Sequence, residues 1–349
     1  MTLNKLISGL LFLTAATTAA AQQKPVVQFI ATGGTIAMKI DPVKGAPVPA
    51  ISGEDLLATV PDVGKYAEIR VNSLSNVPSD YMDPPRWVEL TKAVQKALDQ
   101  PEVAGVIVSH GTDTLEETAF WLDLTIKSEK PVTLIGAQRN ASSPDFDGPR
   151  NLLNAVRISV DEQSRNKGVL LAMNNQINAA RYVRKTHTAN VETFNSGDFG
   201  FIGEVYPDRV IYAYQPVRRQ HLALNEQEMP AVEIFPMYGG ADGIALRNAV
   251  DRSVKGIVVQ ALGMGNMNQP MFEAVKYAIS KDIPVVIATR VYNGRVLPNY
   301  GFEGGGKTLA DAGAVMADDL SPPKARILLM LALQGGVKGQ ADLQALFDK

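Results

Sequence analysis

The stretch QFIATGGTIAMK, from Gln28 to Lys39, leaves an apolar run and passes through two glycines flanked by threonines. The apolar run Val26–Ile30 predicts a buried strand, and Thr32-Gly33-Gly34-Thr35 predicts a turn at its carboxyl end. In α/β sheets, ligands bind beyond the carboxyl ends of the strands. The turn is therefore either an ordinary connection to the next element or a place where a molecule can approach a threonine.

The same pattern recurs through the first half of the chain. Further buried strands are predicted at Val103–Ser109, Pro131–Gly136 and Gly168–Met173. Helices are predicted between them at Pro84–Leu98, Asp113–Ile126 and Gly148–Val160. Strands that are apolar on both faces and alternate with helices are typical of an α/β fold with a mostly parallel sheet.

A second series of strands and helices follows a polar segment of mixed charge. Its strands are predicted at 231–237, 254–262 and 283–291, and its helices near Gln269–Ser280 and Pro323–Leu333. The sequence thus predicts a larger N-terminal α/β domain over 24–210, a linker over 211–229, and a smaller C-terminal α/β domain of flavodoxin-like type over 230–349.

The first 21 residues have the pattern of a signal peptide. Lys5 precedes a short apolar run, and Ala19-Ala20-Ala21 supplies the small residues of a cleavage site. The apolar run is too short to span a membrane, so we expect cleavage near Ala21 and export to the periplasm, with no membrane association afterwards. An N-terminal membrane anchor is the less favoured alternative.

Composition excludes several function classes. The net charge of −2 argues against nucleic acid as a partner, and the absence of cysteine excludes a thiol nucleophile or thiolate metal site. The three histidines, His110, His187 and His221, do not form an H-x-x-x-H pair. We therefore expect no metal site.

A second glycine–threonine turn, His110-Gly111-Thr112-Asp113-Thr114, follows the strand at 103–109. If the two strands are neighbours, Thr35 and Thr112 lie on one rim of the sheet. Simpler interpretations remain open: Thr112 and Asp113 suit helix N-caps, and His110 suits a packed histidine because no G-x-S-x-G motif accompanies it. A phosphate cradle is disfavoured because G-x-G-x-x-G and G-K-[ST] are absent.

Together, ATGGTIA and SHGTDTLEETAFWLDLT resemble the two signatures of the bacterial-type L-asparaginases, including the exported type II enzymes and the glutaminase-asparaginases. The resemblance continues through GAQRNASSPDFDGPRNLLNAV, ALGMGNMN and PPKARILLMLAL, and it covers essentially the whole mature chain. It implies hydrolysis of a small amino-acid amide without a cofactor, in a homotetramer built as a dimer of dimers.

The resemblance also implies roles for individual residues. Thr35 matches the nucleophile, and the second catalytic cluster matches Thr112, Asp113 and Lys185. Substrate-binding positions match Ser79, Asp80, Ala137, Asn268 and Tyr300, with Asn268 contributed across a subunit interface. Ser75 is the alternative to Ser79 for the substrate-binding serine. Ser79-Asp80 could also be an ordinary turn without a role in binding. Without the family, Lys185 would be interpreted as a surface lysine.

These roles agree with elementary chemistry. A threonine hydroxyl needs a partner to take or polarise its proton, and lysine can do so only as a neutral amine. An amide carbonyl needs donors arranged for its developing oxyanion, which glycine turns can supply from the backbone. Asp113 and Asp80 suit a substrate ammonium group, and Ser79 suits the α-carboxylate.

Two departures from the family pattern concern the loop after the nucleophile and the partner subunit's contribution. Type II relatives carry a tyrosine on that loop, whereas here no tyrosine lies between Thr35 and Tyr66. The acidic residue that the partner supplies in relatives aligns with Gly301, beside Tyr300 and Glu303. We expect the Tyr300 phenol to replace one of the missing groups.

The sequence therefore predicts an exported L-asparaginase that acts through Thr35. A glutaminase-asparaginase is the nearest rival, since asparagine and glutamine differ by one methylene. A periplasmic amino-acid binding protein is the rival from another class. The related amidotransferase subunit that deamidates for tRNA charging is disfavoured because that work is cytoplasmic.

Overall fold

A computed structural model describes residues 24–349, and the predicted signal peptide over 1–21 lies outside the described residues. The N-terminal strands are β1 Val26–Gly33, β2 Met38–Asp41, β3 Ala46–Pro49, β4 Glu68–Val77, β5 Val103–Ser109, β6 Val132–Ile135, β7 Val169–Met173, β8 Gln176–Ala179, β9 Arg184–Lys185, β10 Phe194–Asn195, β11 Gly203–Val205 and β12 Val210–Tyr212. The N-terminal helices are α1 Gly53–Ala58, α2 Pro84–Leu98, α3 Leu115–Thr125 and α4 Gly148–Val160.

Eight of these strands form one sheet in the order β12-β11-β8-β7-β6-β5-β1-β4. The strands from β4 to β7 are parallel, and β8, β11 and β12 extend the sheet in antiparallel fashion. β1 and β5 pair directly, and Ala31 lies opposite Ser109. The prediction that the two glycine–threonine turns leave neighbouring strands is confirmed, because both turns begin one residue beyond this pair.

The C-terminal domain is a four-stranded parallel sheet in the order β13-β14-β15-β16, which confirms the predicted fold class. Its strands are β13 Val232–Pro236, β14 Gly256–Ala261, β15 Val285–Thr289 and β16 Val315–Met316. Its helices are α5 Ile244–Asp251, α6 Gln269–Ile279, α7 Gly306–Asp311, α8 Pro322–Gln334 and α9 Gln340–Phe347. Within residues 24–349 no helix has both the length and the apolar character needed to cross a bilayer.

The polar segment between the domains is packed rather than free. Its first two residues, Ile211 and Tyr212, belong to β12. The Leu222 N–H donates to the Leu124 carbonyl of α3 at 2.8 Å. We keep the predicted domain boundaries as a proposal.

Helix α8 of the second domain packs against α3 of the first, so one apolar core runs through both domains. Buried charges cross the same junction: Arg181 forms an ion pair with Asp319 at 2.7 Å. Asp319 also pairs with Arg218 at 3.2 Å. Removing Asp319 would leave the buried Arg181 without its ion-pair partner, so this carboxylate helps to hold the two domains together.

The sequence pattern missed β4 and started one helix too early. β4, EIRVNSLSNV, lies at the edge of the sheet and is nowhere fully buried, so it lacks the apolar run that marks the inner strands. The helix predicted from Asp113 begins at Leu115, because Asp113 lies in the turn that precedes it.

Candidate active site

The first turn presents Thr35 at the end of β1. Gly33 and Gly34 have φ of +111° and +83°, a region that side chains rarely adopt, and a Cβ atom at Gly33 would lie 2.4 Å from the Val77 nitrogen. Thr35 then opens a single 3₁₀ turn and is half-buried. Within residues 24–349 its hydroxyl has no hydrogen-bond partner, so it is free to meet a ligand.

The second turn lies against the first. A Cβ atom at Gly34 would lie 2.2 Å from the Cα atom of Gly111, so only two glycines permit this approach. On its other side Gly111 contacts Ser79, whose Oγ would lie 2.7 Å from a Cβ atom there. Three loops thus converge: the ones that carry Thr35, Thr112 and Ser79.

Lys185 reaches this convergence from the short strand β9. Its Nζ lies 2.9 Å from Thr112 Oγ1 and 2.5 Å from Asp113 Oδ1. The Lys185 side chain is only 16% exposed, so the interpretation as a surface lysine is wrong. Asp113 is 63% exposed and keeps one face toward solvent or a ligand.

Neither Thr112 nor Asp113 is a helix N-cap. Thr114 is the N-cap residue of α3, and its hydroxyl donates to the Ser79 carbonyl at 2.7 Å. The buried Thr112 hydroxyl donates instead to Gln138 Oε1 at 3.1 Å. The N-cap interpretation of Thr112 and Asp113 is therefore wrong, and their side chains are available for the site.

The predicted substrate-binding residues of the first domain lie around this cluster. Ser79 is buried in a 3₁₀ turn with Asp80, which is exposed. Ser75, the alternative to Ser79, donates its hydroxyl to the Thr32 carbonyl at 3.0 Å and belongs to β4. Ala137 is fully buried just after Gly136, where a Cβ atom would lie 3.0 Å from Thr112 Cγ2.

His110 is packed, as predicted, and has no access to a substrate. It is fully buried, its Nδ1 lies 2.7 Å from the Gly111 carbonyl, and its Nε2 lies 2.9 Å from Thr118 Oγ1. Burial lowers the pKa of His110 to about 4, so the ring is neutral. A neutral ring with hydrogen on Nδ1 satisfies both contacts and stabilises the turn around Gly111.

The two predicted residues of the second domain do not join this cluster through any hydrogen bond within residues 24–349. Asn268 is the N-cap of α6: its Oδ1 accepts from the Met271 N–H at 3.1 Å and its Nδ2 donates to the Ala241 carbonyl at 2.7 Å. Tyr300 is 44% exposed, with its ring 5.9 Å from that of Phe302. The Asn268 side chain is therefore engaged within its own domain, whereas the Tyr300 side chain is exposed.

The tyrosine-free loop after Thr35 is a β-hairpin formed by β2 and β3. Its turn is closed by Asp41 Oδ1, which accepts from the Val43 and Lys44 N–H groups at 2.8 Å. The Ile40 N–H donates to Ser142 Oγ at 3.0 Å, so the hairpin is anchored to the loop after β6. A paired and anchored segment is stiffer than an open loop.

Sequence reasoning missed the residues that support Lys185 from behind. Glu116 accepts the Lys185 backbone N–H at 2.5 Å. Lys324, fully buried on α8, donates to the carbonyls of Ala180, Arg181 and Val183 at 2.9, 3.0 and 2.5 Å. No local pattern marks Lys324, since it lies in the apolar helix PPKARILLMLALQ and finds its partners about 140 residues away.

The arrangement suits acyl chemistry more than metal chemistry. Within residues 24–349 no group of three histidine, aspartate or glutamate side chains could hold a metal ion. The turn that carries the unpaired Thr35 hydroxyl instead packs, through Gly34 and Gly111, against the turn that carries Thr112 and Asp113. Such a set can move a proton and hold a charged amino-acid substrate.

Comparison with known protein families gives matches over both domains. The family described as "Asparaginase, N-terminal" matches residues 26–218, and "Glutaminase/Asparaginase C-terminal domain" matches residues 231–347. The two ranges together contain every candidate residue named above.

Individual proteins match over most of their length. "L-asparaginase 2" of Bacillus subtilis is 36% identical and matches 88% of this chain and 82% of its own. "Probable L-asparaginase periplasmic" of Haemophilus influenzae is 35% identical, with 95% of each chain covered. Among solved structures, "Probable Cytoplasmic L-asparaginase from Campylobacter jejuni" is 34% identical, with a TM-score of 0.85 over 93% of this chain and 100% of its own.

Proposed function

This chain belongs to the asparaginase family, and on that premise we propose that it is an L-asparaginase that hydrolyses L-asparagine to L-aspartate and ammonia with Thr35 as nucleophile. One observation carries the proposal. Lys185, 73 residues beyond Thr112, donates to the hydroxyl of Thr112 and to the carboxylate of Asp113. The turn that carries Thr112 and Asp113 packs against the turn that carries Thr35. Packing alone does not require a Thr112–Lys185–Asp113 cluster near an unpaired threonine hydroxyl.

The reaction begins with attack of Thr35 Oγ on the side-chain carbonyl carbon of asparagine. The proton of Thr35 passes toward Thr112 and Lys185, and the carbonyl oxygen becomes an oxyanion. The backbone N–H of Thr112, which has no acceptor within residues 24–349, is available to stabilise that oxyanion. The C–N bond then breaks, the amide nitrogen takes up a proton and leaves as ammonia, and an acyl ester on Thr35 remains.

Water completes the cycle. It attacks the ester carbonyl, gives its proton to the same Thr112–Lys185 pair, and releases aspartate with the Thr35 hydroxyl restored. Asp113, with its exposed face, and Asp80 bind the substrate's ammonium group, while Ser79 donates to the α-carboxylate.

We propose that each site is completed by a second copy of the chain. Asn268 and Tyr300 lie in the C-terminal domain, outside the hydrogen-bonded cluster of their own protomer, and the exposed Tyr300 phenol suits a partner's site. A dimer of dimers with shared sites is the arrangement implied by the family. Sedimentation of the purified protein tests it, and a monomer that remains active would contradict it.

We also propose export to the periplasm, on the strength of residues 1–21. One relative is described as periplasmic and the Campylobacter jejuni protein as cytoplasmic, so the family includes both descriptions. Fractionation of expressing cells, with mass analysis of the mature N-terminus, tests the compartment. Retention of residues 1–21 in soluble cytoplasmic protein would contradict export.

Glutamine hydrolysis accompanies asparagine hydrolysis in this proposal. Asp80 has a shorter side chain than glutamate, and one extra methylene costs only about 1–3 kcal/mol of discrimination. Comparable or higher activity on glutamine would make the protein a glutaminase-asparaginase.

The test is steady-state release of ammonia from L-asparagine, L-glutamine and their D-forms. We expect turnover of L-asparagine by the wild type and its loss in Thr35→Ala. Thr59→Ala is the matched control, because Thr59 is exposed and its hydroxyl donates only to the Leu56 carbonyl. Saturable binding without any turnover would contradict the proposal and favour an amino-acid binding protein.

A further inference from the structure

Gln138 is fixed at both ends of its side chain beside the candidate catalytic cluster. Its Oε1 accepts the Thr112 hydroxyl at 3.1 Å, and its Nε2 donates to the Asn190 carbonyl at 3.1 Å. Its backbone N–H donates to Asp147 Oδ2 at 3.2 Å. Neither the orientation of the amide nor its distance from Thr112 can therefore change freely.

These contacts determine where the hydrogen of Thr112 points. An ammonium group has hydrogens and no acceptor, so protonated Lys185 can only donate to Thr112 Oγ1. The hydrogen of the Thr112 hydroxyl must then go to another acceptor, and Gln138 Oε1 is the one within reach. Thr112 is buried, so a hydrogen without an acceptor would be costly.

The neutral form of Lys185 reverses this arrangement. Its nitrogen then has a lone pair that can accept the hydrogen of Thr112, and Gln138 Oε1 loses its donor. Gln138 thus stabilises the protonated arrangement and opposes the one in which Lys185 takes a proton. The relay must overcome this hydrogen bond each time it turns over.

We propose that Gln138 is a positioning residue that sets the pH at which the Thr112–Lys185 relay becomes active. The inference rests on the proposed function, because it needs a reaction in which neutral Lys185 takes part. Gln138 acts only through Thr112 and contacts neither the reacting carbonyl nor the nucleophile in this account.

Other charged groups lie around the same cluster, and the variants used in a test must leave these groups unchanged. Asp113 contacts Lys185 Nζ directly, and Glu116 accepts its backbone N–H. The remaining neighbours are Lys324 behind the segment before Lys185, Asp147 and Arg139 beside the Gln138 backbone, His187 beside Asn190, and Arg184 on β9. None of them is altered by substituting Gln138. Gln138→Glu also adds a negative charge near Lys185, so the contact with Thr112 is measured by the uncharged variants Gln138→Met and Gln138→Leu.

Two substitutions of similar size change the acceptor in opposite directions. Gln138→Met removes it, which favours the neutral amine, so the acidic limb of the pH profile of kcat/KM should move to lower pH. Gln138→Glu supplies a charged and stronger acceptor, so the limb should move to higher pH. Loss of one such bond changes an equilibrium about fivefold, which corresponds to a displacement of about 0.5–1 pH unit.

The controls separate this idea from a structural role. Gln163→Met makes the same change at an exposed position and should leave the limb in place. Gln138→Leu is a second variant without an acceptor and should move the limb in the same direction as Gln138→Met. Gln138→Met and Gln138→Glu also lose or weaken the contact with Asn190. Loosening of that loop would move the acidic limb in the same direction in these two variants.

The inference is overturned if an active, folded acceptor-free variant keeps the wild-type limb, or if Gln138→Met and Gln138→Glu move it the same way. Failure of the proposed function looks different, since the wild type itself would then release no ammonia from L-asparagine. Displacements of opposite sign in Gln138→Met and Gln138→Glu support the inference.

Discussion

Gly34 and Gly111 pack so closely that a Cβ atom on Gly34 would lie 2.2 Å from the Cα atom of Gly111. The contact joins the turns that carry Thr35 and Thr112. It depends on the direct pairing of β1 with β5, which brings both turns out at the same level of the sheet. The distance between the two threonines is thus set by backbone packing and not by their own side chains.

Gly34→Ala should therefore damage both stability and activity. The substitution places a side chain at φ +83° and forces the two turns apart. We expect a loss of at least about 2 kcal/mol in the free energy of unfolding, together with a large fall in kcat. Urea unfolding and ammonia release measure the two effects.

Gly239→Ala is the matched control, since no heavy atom lies within 4 Å of the position where its Cβ would be and its φ is not positive. Equal stability and activity of Gly34→Ala and Gly239→Ala would refute the idea that this contact sets the site.

Lys324→Met should lower stability and kcat without raising KM strongly. The buried ammonium group donates to three carbonyls in the segment just before Lys185, and methionine leaves them unpaired. We expect a loss of about 2–4 kcal/mol in the free energy of unfolding. A displaced Lys185 lowers the rate of the chemical step more than substrate binding.

The control for Lys324 is Lys338→Met, which changes an exposed lysine of the same domain. Wild-type kinetics in a folded Lys324→Met variant would show that the segment over 180–183 holds Lys185 without help from the second domain.

Much of the fold follows from local patterns. The inner strands β1, β5, β6 and β7 are apolar on both faces, so the sequence marked each of them to within a few residues. β4 was missed because its residues face solvent at the edge of the sheet. The short strands β8 to β12 were missed because two- to four-residue strands carry no period that a sequence could show.

The site was predictable where residues adjoin a strong motif. Thr35 and Thr112 follow buried strands directly, so the topology of a parallel sheet brings them to one edge. Lys185 lies on a two-residue strand, and the chain around it offers a basic stretch that suits a surface equally well. Lys185 was assigned to the site from the family resemblance alone, because a contact with Thr112, 73 positions away, leaves no local sequence pattern.

Stability should depend on pH through His110. Burial lowers the pKa of His110 from its ordinary 6.5 to about 4, so between these values the unfolded chain binds a proton that the folded chain does not. The free energy of unfolding should therefore fall as the pH drops from 6.5 to 4, by up to about 3 kcal/mol. Urea unfolding of the wild type and His110→Asn across this range measures the contribution.

The informative quantity is the difference in the free energy of unfolding between the wild type and His110→Asn at each pH. Burial also raises the pKa of Glu117 to about 7, and this group acts with the opposite sign, but it is present in both proteins and cancels. A difference that stays constant from pH 6.5 to pH 4 would mean that His110 is not held neutral by the fold.

Tyr300→Phe tests the proposal that the Tyr300 phenol replaces the missing lid tyrosine or the partner's acidic residue. The exposed phenol makes no hydrogen bond within its own protomer over residues 24–349, and its loss should lower kcat by about tenfold or more. The matched control is Tyr238→Phe, another exposed tyrosine of the second domain. If Tyr300→Phe keeps kcat within about twofold, the substitute lies elsewhere.

Covalent trapping tests the central claim most directly. The wild type is incubated with an electrophilic analogue of asparagine until activity is lost, and the modified peptide is identified by mass spectrometry. We predict one adduct per chain on Thr35, blocked by L-asparagine and absent from Thr35→Ala. Loss of activity with residue 35 unmodified, or with the label on another side chain, would contradict the account.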